Sequence, residues 1–198
     1  MADAGGMGTL GGAFAVRTVA VIGAGRVGRS FALACAAAGF DVVLEDVMPA
    51  KLRRAQEEYA ELGALAGAGR LRVALTVEDA VRAADVAVDF VPDELESKLE
   101  IFCMVDRMAP PKTALLTPGV ALSITDLASC TYRGERCFAV RGMVEGDAFE
   151  AARPVRLLHP KDAAVEVMTG VGDFLGALGC AVRVEEDRGE AMLVKNLG

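Results

Sequence analysis

The chain has 198 residues and a formal net charge of −7 at pH 7. Hydrophobic residues make up 53% of it and charged residues 25%, which excludes a disordered or collagen-like chain. No apolar run approaches the ~18–20 residues of a membrane-spanning helix, and the surplus of acids disfavours nucleic acid and acidic membrane surfaces as partners. The length predicts one domain, or one domain and a fragment of another.

We interpret the Gly- and Ala-rich residues 1–16 as a flexible tail before a domain that covers residues 17–198. Strand-like runs then follow at Arg17–Gly23, Asp41–Asp46, Leu71–Leu75, Asp85–Val91, Thr113–Leu116, Arg136–Val140, Pro154–Leu158 and Ala181–Val184. Helix-like runs lie between and after them, at Arg26–Ala38, Ala50–Leu65, Glu94–Met108, Ser123–Ser129, Asp162–Leu178 and Glu190–Leu197. This alternation predicts a Rossmann-like, doubly wound α/β fold, with a mainly parallel sheet and helices on both faces.

Aromatic and cysteine usage adds two expectations. Aromatic residues are only 5% of the chain and Trp is absent, so we expect a core of Val, Leu, Ala and Met. The five cysteines lack CxxC spacing, and we therefore predict neither a metal site nor a disulfide framework. Scattered cysteines beside apolar residues favour a reducing, cytoplasmic compartment.

A glycine-rich turn joins the first strand to the first helix. Its sequence, Gly23-Ala24-Gly25-Arg26-Val27-Gly28, has the spacing GxGxxG. The first glycine permits a tight turn, the second lets a pyrophosphate approach the backbone, and the third lets helix and strand pack closely. Asp46 ends the second strand, where a carboxylate accepts hydrogen bonds from ribose hydroxyls. Together they predict a dinucleotide site; the alternative is a close-packed turn without a ligand.

The acid at the end of the second strand also bears on the choice of cofactor. A 2′-phosphate at ~4 Å from the Asp46 carboxylate would cost on the order of 1–4 kcal/mol. We therefore predict NAD as the cofactor rather than NADP. The nearby Lys51 and Arg53 are interpreted as solvated charges of the following helix.

Three segments resemble the N-terminal domain of the L-3-hydroxyacyl-CoA dehydrogenases: VAVIGAGRVGRSFALACAAAGFDVVLEDV, ADVAVDFVPDELESKLEIF and ALSITDLAS. The resemblance covers about Arg17 to Leu197 and is loose after Arg136. It implies an NAD-dependent oxidoreductase of fatty acid metabolism that oxidises a 3-hydroxyl. It also implies cofactor contacts at the glycine-rich turn, at Asp46, at Asp93, where the family usually has Glu, and at Lys98. A helix N-terminal acid and a surface lysine are the alternative interpretations of the last two.

The positions of the family's catalytic side chains carry other residues here. By the resemblance, the serine position holds Val120, the histidine position Arg141 and the glutamate position Arg156. The late asparagine falls on Val194, or on Asn196 if the register slips. An arginine stays protonated at neutral pH and cannot act as an ordinary general base. We therefore expect the family's catalytic set to be lost.

Other residues are weaker candidates for the missing base. His159, the only histidine, follows a strand, and Glu145, Asp147 and Glu150 lie in the segment that aligns worst. The arginines at the histidine and glutamate positions could together bind a carboxylate or a CoA phosphate, or they could be ordinary surface residues.

Two functions remain open at this point. The first is a 3-hydroxyacyl-CoA dehydrogenase-like oxidoreductase acting on a 3-hydroxyacyl thioester or a related hydroxy acid. The second is a catalytically silent NAD(H)-binding sensor, regulator or partner subunit. The family continues into a helical domain that completes the acyl-CoA site and forms the dimer interface, whereas this chain stops at Gly198. The expected partners are therefore the nucleotide, an acyl-CoA or other anionic small molecule, and a second copy or a helical domain.

Overall fold

The computed structural model describes residues 14–62, 67–120, 122–145, 148–149 and 153–189. Its strands are β1 Thr18–Ile22, β2 Asp41–Glu45, β3 Leu71–Ala74, β4 Val86–Asp89, β5 Ala114–Thr117, β6 Cys137–Arg141, β7 Val144–Glu145, β8 Ala148–Phe149, β9 Pro154–His159 and β10 Ala181–Glu186. Its helices are α1 Arg26–Ala37, α2 Pro49–Leu62, α3 Val77–Val81, α4 Leu95–Met108, α5 Ile124–Ser129 and α6 Val165–Ala177. The predicted helix Glu190–Leu197 and residues 1–13 of the predicted tail lie outside the described residues.

Eight of the strands form one sheet in the order β10-β9-β6-β5-β4-β1-β2-β3. The strands β1 to β6 are parallel, and their order is that of a doubly wound sheet. The predicted fold class is thereby confirmed. Strand β9 runs antiparallel to β6, and β10 pairs with β9 in parallel, so the last two strands run against the other six. Within the described part of the chain, no helix is both long enough and apolar enough to cross a membrane.

The inner strands are mostly apolar because both of their faces are covered. One face packs beneath α1, α2 and α6, and the other beneath α3, α4 and α5. Phe31 of α1 is the centre of the first core, with ring centroids 5.2 Å from Phe90, 5.2 Å from Phe149 and 6.3 Å from Phe174. These contacts join α1 to α6, to β8 and to the residue after β4. These three contacts thus fix the position of α1 and of the glycine-rich turn that precedes it.

The structure corrects several details of the prediction. Among the described residues Met143 is the one fully buried methionine, whereas five phenylalanines are buried, so aromatic rings fill volume expected of Met. Val165, an apolar residue of the predicted helix Asp162–Leu178, is 66% exposed, because α6 begins there. Phe14 and Val16 pack against the core, although the predicted tail included them. Helix α3 and the small β7–β8 hairpin were not predicted.

A carboxylate at the start of β4 fastens the beginning of β1 to the sheet. Asp85 accepts hydrogen bonds from the backbone N–H of Arg17 at 2.9 Å and of Thr18 at 3.0 Å, and from the Lys112 ammonium. Burial alone would raise the pKa of Asp85, but these hydrogen bonds outweigh it and hold the pKa below its ordinary value. The carboxylate form therefore stabilises the fold.

We expect Asp85→Asn to lower the free energy of unfolding at pH 7 by about 1 kcal/mol. A carboxylate with a lowered folded pKa stabilises the protein above its unfolded pKa, about 3.9 for Asp, and loses that contribution as the pH falls through the folded value. The difference between variant and parent should therefore shrink below about pH 4, as measured by urea unfolding at several pH values. Glu57→Gln, on the exposed side of α2, is the control. A difference that stayed constant down to about pH 2 would contradict the assignment.

Candidate nucleotide-binding site

The glycine-rich turn has the geometry that its spacing predicts. Gly23 has a φ of +99°, and its N–H donates to the Glu45 carbonyl at 2.9 Å. A Cβ on Gly28 would lie 2.0 Å from the Gly23 carbonyl oxygen, whereas a Cβ on Gly25 would meet no atom within 4 Å. Helix α1 starts after Gly25 with no side-chain cap and no acid in its first turn. Its first N–H groups are therefore open to an anion placed above Gly25.

Asp46 lies directly after β2 and faces the glycine-rich turn. Its carboxylate accepts from the backbone N–H of Ala24 at 2.9 Å and of Met48 at 2.8 Å, and from the Lys51 ammonium at 3.0 Å. Burial alone would raise the pKa of Asp46, but these hydrogen bonds outweigh it and leave the pKa below its ordinary value. The acid is therefore ionised and fixed in position. Lys51 is its partner and not merely a solvated charge, while Arg53 is exposed as expected.

Two cavities meet above the carboxyl ends of β1 and β4. One, which we name the Asp46 cavity, has a volume of about 460 Å³ and is lined by residues that include Gly23, Asp46, Lys51, Ile101 and Met104. The other, which we name the Gly119 cavity, has about 470 Å³ and is lined by residues that include Arg26, Val27, Gly28, Gly119, Val120 and Gly142. Gly25, Phe90 and Val91 line both. The two cavities therefore lie side by side at the point where the strand order reverses, and we refer to them together as the cleft.

Glu45 adds a second carboxyl group to the Asp46 cavity. It is the last residue of β2 and is only 5% exposed. Burial, together with the negative charge of Asp46, raises the pKa of Glu45 above its ordinary value. The two neighbouring acids make this end of the cleft unfavourable for a phosphate.

Asp93 connects the loop after β4 to the loop after β5. Its carboxylate accepts from the Val120 N–H at 2.6 Å, and a Cβ on Gly119 would lie 2.2 Å from an Asp93 oxygen. Glu94, not Asp93, is the N-cap of α4. Asp93 thus shapes the wall of the Gly119 cavity, and the alternative that it is a helix N-terminal acid is not supported.

Lys98 also lines the Gly119 cavity but is 1% exposed, so the alternative of a surface lysine is wrong. Its ammonium group binds Asp89 at the end of β4, which is 3% exposed. Burial raises the pKa of Asp89 despite the opposing effect of Lys98. The sequence reasoning missed Asp89 as the partner. The sequence did contain a signal for this pair, because Asp89 ends an otherwise apolar strand nine positions before Lys98.

Three of the four positions that correspond to the family's catalytic residues lie within the described residues. Val120 is 73% exposed and lines the Gly119 cavity. Arg141, the last residue of β6, pairs directly with Arg156 of β9. One nitrogen of Arg141, Nη2, donates to the Leu122 carbonyl at 2.6 Å. Val194 lies outside the described residues, as does Asn196.

Of the alternative bases, His159 is the one whose side chain the structure describes, and it lines neither cavity. His159 lies three positions beyond Arg156, about 10 Å along β9 and on the other face of the strand. Its Nδ1 lies 2.9 Å from the Pro160 carbonyl. Asp147 and Glu150 lie outside the described residues. Glu145 belongs to β7, but the position of its side chain is not described.

The sequence model for the family described as "3-hydroxyacyl-CoA dehydrogenase, NAD binding domain" matches residues 18–143. This range contains the glycine-rich turn, Glu45 and Asp46 of the Asp46 cavity, and the whole wall of the Gly119 cavity. The chain belongs to this family. NAD, predicted from the sequence, is confirmed as its cofactor, and the predicted family membership is confirmed as well.

Curated relatives that match the chain are longer than the chain itself. It is 28% identical over 167 residues to a probable 3-hydroxybutyryl-CoA dehydrogenase of Bacillus subtilis, covering 77% of this chain and 58% of that protein. It is 29% identical over 188 residues to the 3-hydroxybutyryl-CoA dehydrogenase of Bradyrhizobium diazoefficiens, covering 87% and 62%. A solved 3-hydroxyacyl-CoA dehydrogenase of Archaeoglobus fulgidus matches with a TM-score of 0.72 and 26% identity, over 87% of this chain and 57% of that one. The chain thus spans about three fifths of these relatives.

Proposed function

We propose that the cleft binds NAD in an extended form. The adenosine would occupy the Asp46 cavity, the pyrophosphate would cross above Gly25 at the N-terminus of α1, and the nicotinamide would occupy the Gly119 cavity. The observation that carries this proposal is that the two cavities share Gly25, Phe90 and Val91 in their linings, with an ionised acid at one end. Residues 17–198 would form the NAD-binding domain.

The residues that line the cleft fit NAD. The space above Gly25 is open to a phosphate, and the uncapped start of α1 offers N–H groups with partial positive charge. The Asp46 carboxylate can accept from ribose hydroxyls in addition to its present donors, since an ionised carboxylate has about four acceptor sites. With Glu45 beside it, the same acid opposes the 2′-phosphate of NADP.

We assign the chain an oxidoreductase function, with a 3-hydroxyacyl thioester or a related hydroxy acid as substrate. Bound NAD supplies hydride transfer. The chain's own residues would orient the nicotinamide: Asp93 fixes the loops at the Gly119 cavity, and Lys98, which is held by its buried partner Asp89, lines that cavity. The substrate would enter on the side of Val120 and Gly142, where the cavity wall is exposed.

A second candidate function is a catalytically silent NAD(H)-binding sensor, regulator or partner subunit. It is favoured by the valine and the two arginines at the positions of the family's catalytic serine, histidine and glutamate. None of these three side chains can take a proton from a hydroxyl at neutral pH.

We expect Asp46→Ala to weaken NAD binding at least about tenfold, because a hydrogen bond to a charged group contributes about 1.5–3 kcal/mol. The parent should bind NAD at least about tenfold more tightly than NADP, and Asp46→Asn should reduce that preference. Isothermal titration calorimetry measures both. Asp41→Ala, at the other end of the same strand, is the matched control and should bind NAD like the parent. Unchanged NAD affinity in Asp46→Ala would contradict the placement of the adenosine.

An assay of NADH consumption distinguishes the oxidoreductase from the catalytically silent NAD(H)-binding protein. Turnover with acetoacetyl-CoA or with acetoacetate would exclude the silent protein. Tight NADH binding without consumption of NADH would favour it.

A further inference from the structure

Three arginines form one cross-strand row on a single face of the sheet, which we name the arginine row. Arg141 of β6 lies directly opposite Arg156 of β9, and Arg156 is in register with Arg183 of β10. Residues in register point to the same face. Ala139, two positions before Arg141 and thus also on that face, packs in the core beneath α4 and α5. The row therefore crosses three neighbouring strands beside α5.

The acid within ion-pair distance of the row serves its two outer arginines, and among the described residues none forms such a pair with Arg141. Like charges directly opposite each other destabilise a sheet. Glu185 pairs with the two outer arginines, at 3.4 Å from Arg156 and 3.1 Å from Arg183. Asp187 acts electrostatically on Arg141, but its carboxylate already accepts hydrogen bonds from Ser123 and Thr125. A further anion would lower the free energy of the row.

The charge without an ion-pair partner lies at Arg141, the end of the row nearest the centre of the sheet. Arg141 is partly buried, and its Nη2 donates to the Leu122 carbonyl at 2.6 Å. Its Nη1 is buried and has no hydrogen-bond partner among the residues that the structure describes. The outer side chains are 58% exposed for Arg156 and 80% for Arg183, so water can satisfy them. A buried charged donor without an acceptor is costly, and an anionic oxygen is the acceptor that a guanidinium prefers.

The inner end of the row adjoins the Gly119 cavity. Gly142, which follows Arg141, lines that cavity. The carbonyl that Arg141 binds belongs to the same β5–α5 loop as Val120, which also lines it. Asp93, which accepts a hydrogen bond from the Val120 N–H in the same wall, interacts electrostatically with Arg141. Arg141 itself does not line the cavity, so a ligand there would present an anionic group to it past Gly142 and the β5–α5 loop.

We propose that the arginine row binds the carboxylate of a free oxo or hydroxy acid, which is the substrate class of this site. The planar guanidinium matches a carboxylate in a two-point contact and stays charged at neutral pH. In a 3-oxo acid the carboxylate is two bonds from the reacting carbon. In a CoA thioester that carboxylate is absent and the phosphates lie beyond a long pantetheine arm. The inference rests on the proposed NAD site, since it places the acid beside the nicotinamide.

The test measures ligand binding to the NADH-loaded chain by calorimetry. The probes are acetoacetate and 3-oxopentanedioate, their methyl esters as neutral counterparts, and CoA as a source of phosphates without a carboxylate. We expect each acid to bind at least about tenfold more tightly than its ester, and Arg141→Met to remove that difference. Arg141→Lys, which keeps the charge without the planar fork, should restore part of it.

Two further variants keep the test independent of folding. Arg156→Gln changes a mostly exposed side chain and should weaken binding of the acids about threefold. Arg72→Met, on β3 at the far edge of the sheet, should leave it unchanged. NADH affinity verifies that each variant retains the cleft.

The outcomes separate this inference from the proposed function. A parent that does not bind NADH would overturn both. NADH binding in every variant, with acids that bind no better than esters, would overturn the carboxylate site alone. CoA binding that depends on Arg141, without competition from the acids, would assign the row to phosphates and overturn the proposed substrate class.

Discussion

Gly28→Ala should destabilise the protein by about 2–3 kcal/mol and abolish measurable NAD binding. The new Cβ would lie 2.0 Å from the Gly23 carbonyl oxygen and 3.2 Å from Cβ of Phe90. Both neighbours belong to the floor of the cleft, and neither is the flexible end of a long side chain. The turn must therefore move away from α1, which displaces the N–H groups proposed to receive the pyrophosphate.

Two other glycines provide matched controls, since a Cβ on either would meet no atom within 4 Å. Gly25→Ala should fold like the parent but bind NAD at least about tenfold more weakly, because the methyl group occupies the space proposed for the phosphates. Gly172→Ala, inside α6, should leave NAD binding unchanged and raise stability by about 0.5–1 kcal/mol. Thermal unfolding and NAD titration measure both effects. Normal stability and NAD affinity in Gly28→Ala would contradict the close packing of this turn.

Lys98→Met should cost about 3–5 kcal/mol of stability, because it leaves the Asp89 carboxylate buried without its counter-charge. The two side chains are 2% and 3% exposed, so water cannot replace the lost partner. The double replacement Asp89→Leu with Lys98→Met removes both charges and should recover at least half of the loss. Urea unfolding at pH 7 measures the set.

Lys112 supplies the control for this pair. It also binds an aspartate, Asp85, but its own side chain is 59% exposed. Lys112→Met should therefore cost no more than about 1 kcal/mol. We expect the double variant at Asp89 and Lys98 to bind NADH more weakly than the parent even after its stability is recovered, because Lys98 lines the Gly119 cavity. A double variant as unstable as Lys98→Met would show that the lysine contributes through its packing and not through the pair.

The sequence was informative where function is encoded locally. The glycine spacing and the acid at the end of the second strand lie within 24 residues, Gly23 to Asp46, and each has a physical requirement that a reader of the sequence can state. Strand β1 and helix α1 follow from the same stretch, because an apolar run, a tight turn and a helix must succeed one another there. The family resemblance extended this to Asp93 and Lys98.

Features that depend on contacts between residues far apart in the sequence could not be predicted from it. Helix α3 has five residues, too few to be stable alone, and is held by the Thr76 cap and by the burial of Val77, Ala80 and Val81. The reversal of β9 and β10 leaves no mark on their residue patterns. The arginine row requires the register of three strands, from Arg141 to Arg183, which the sequence does not specify.

The central position of β1 has a consequence for how the chain is made. This strand is synthesised first, but Val19 finds its partner on one side only at Val86, 67 positions later. At about 5–20 residues per second, the ribosome needs roughly 3–13 seconds to cover that distance. During that time the backbone N–H and C=O groups on the β4 side of β1 have no strand to pair with. Asp85, which accepts from the N–H groups of Arg17 and Thr18, has not yet been synthesised. A nascent chain stalled before residue 85 would therefore expose an unpaired, aggregation-prone strand. We expect the need for a chaperone to be greatest before Asp85 and β4 have been synthesised.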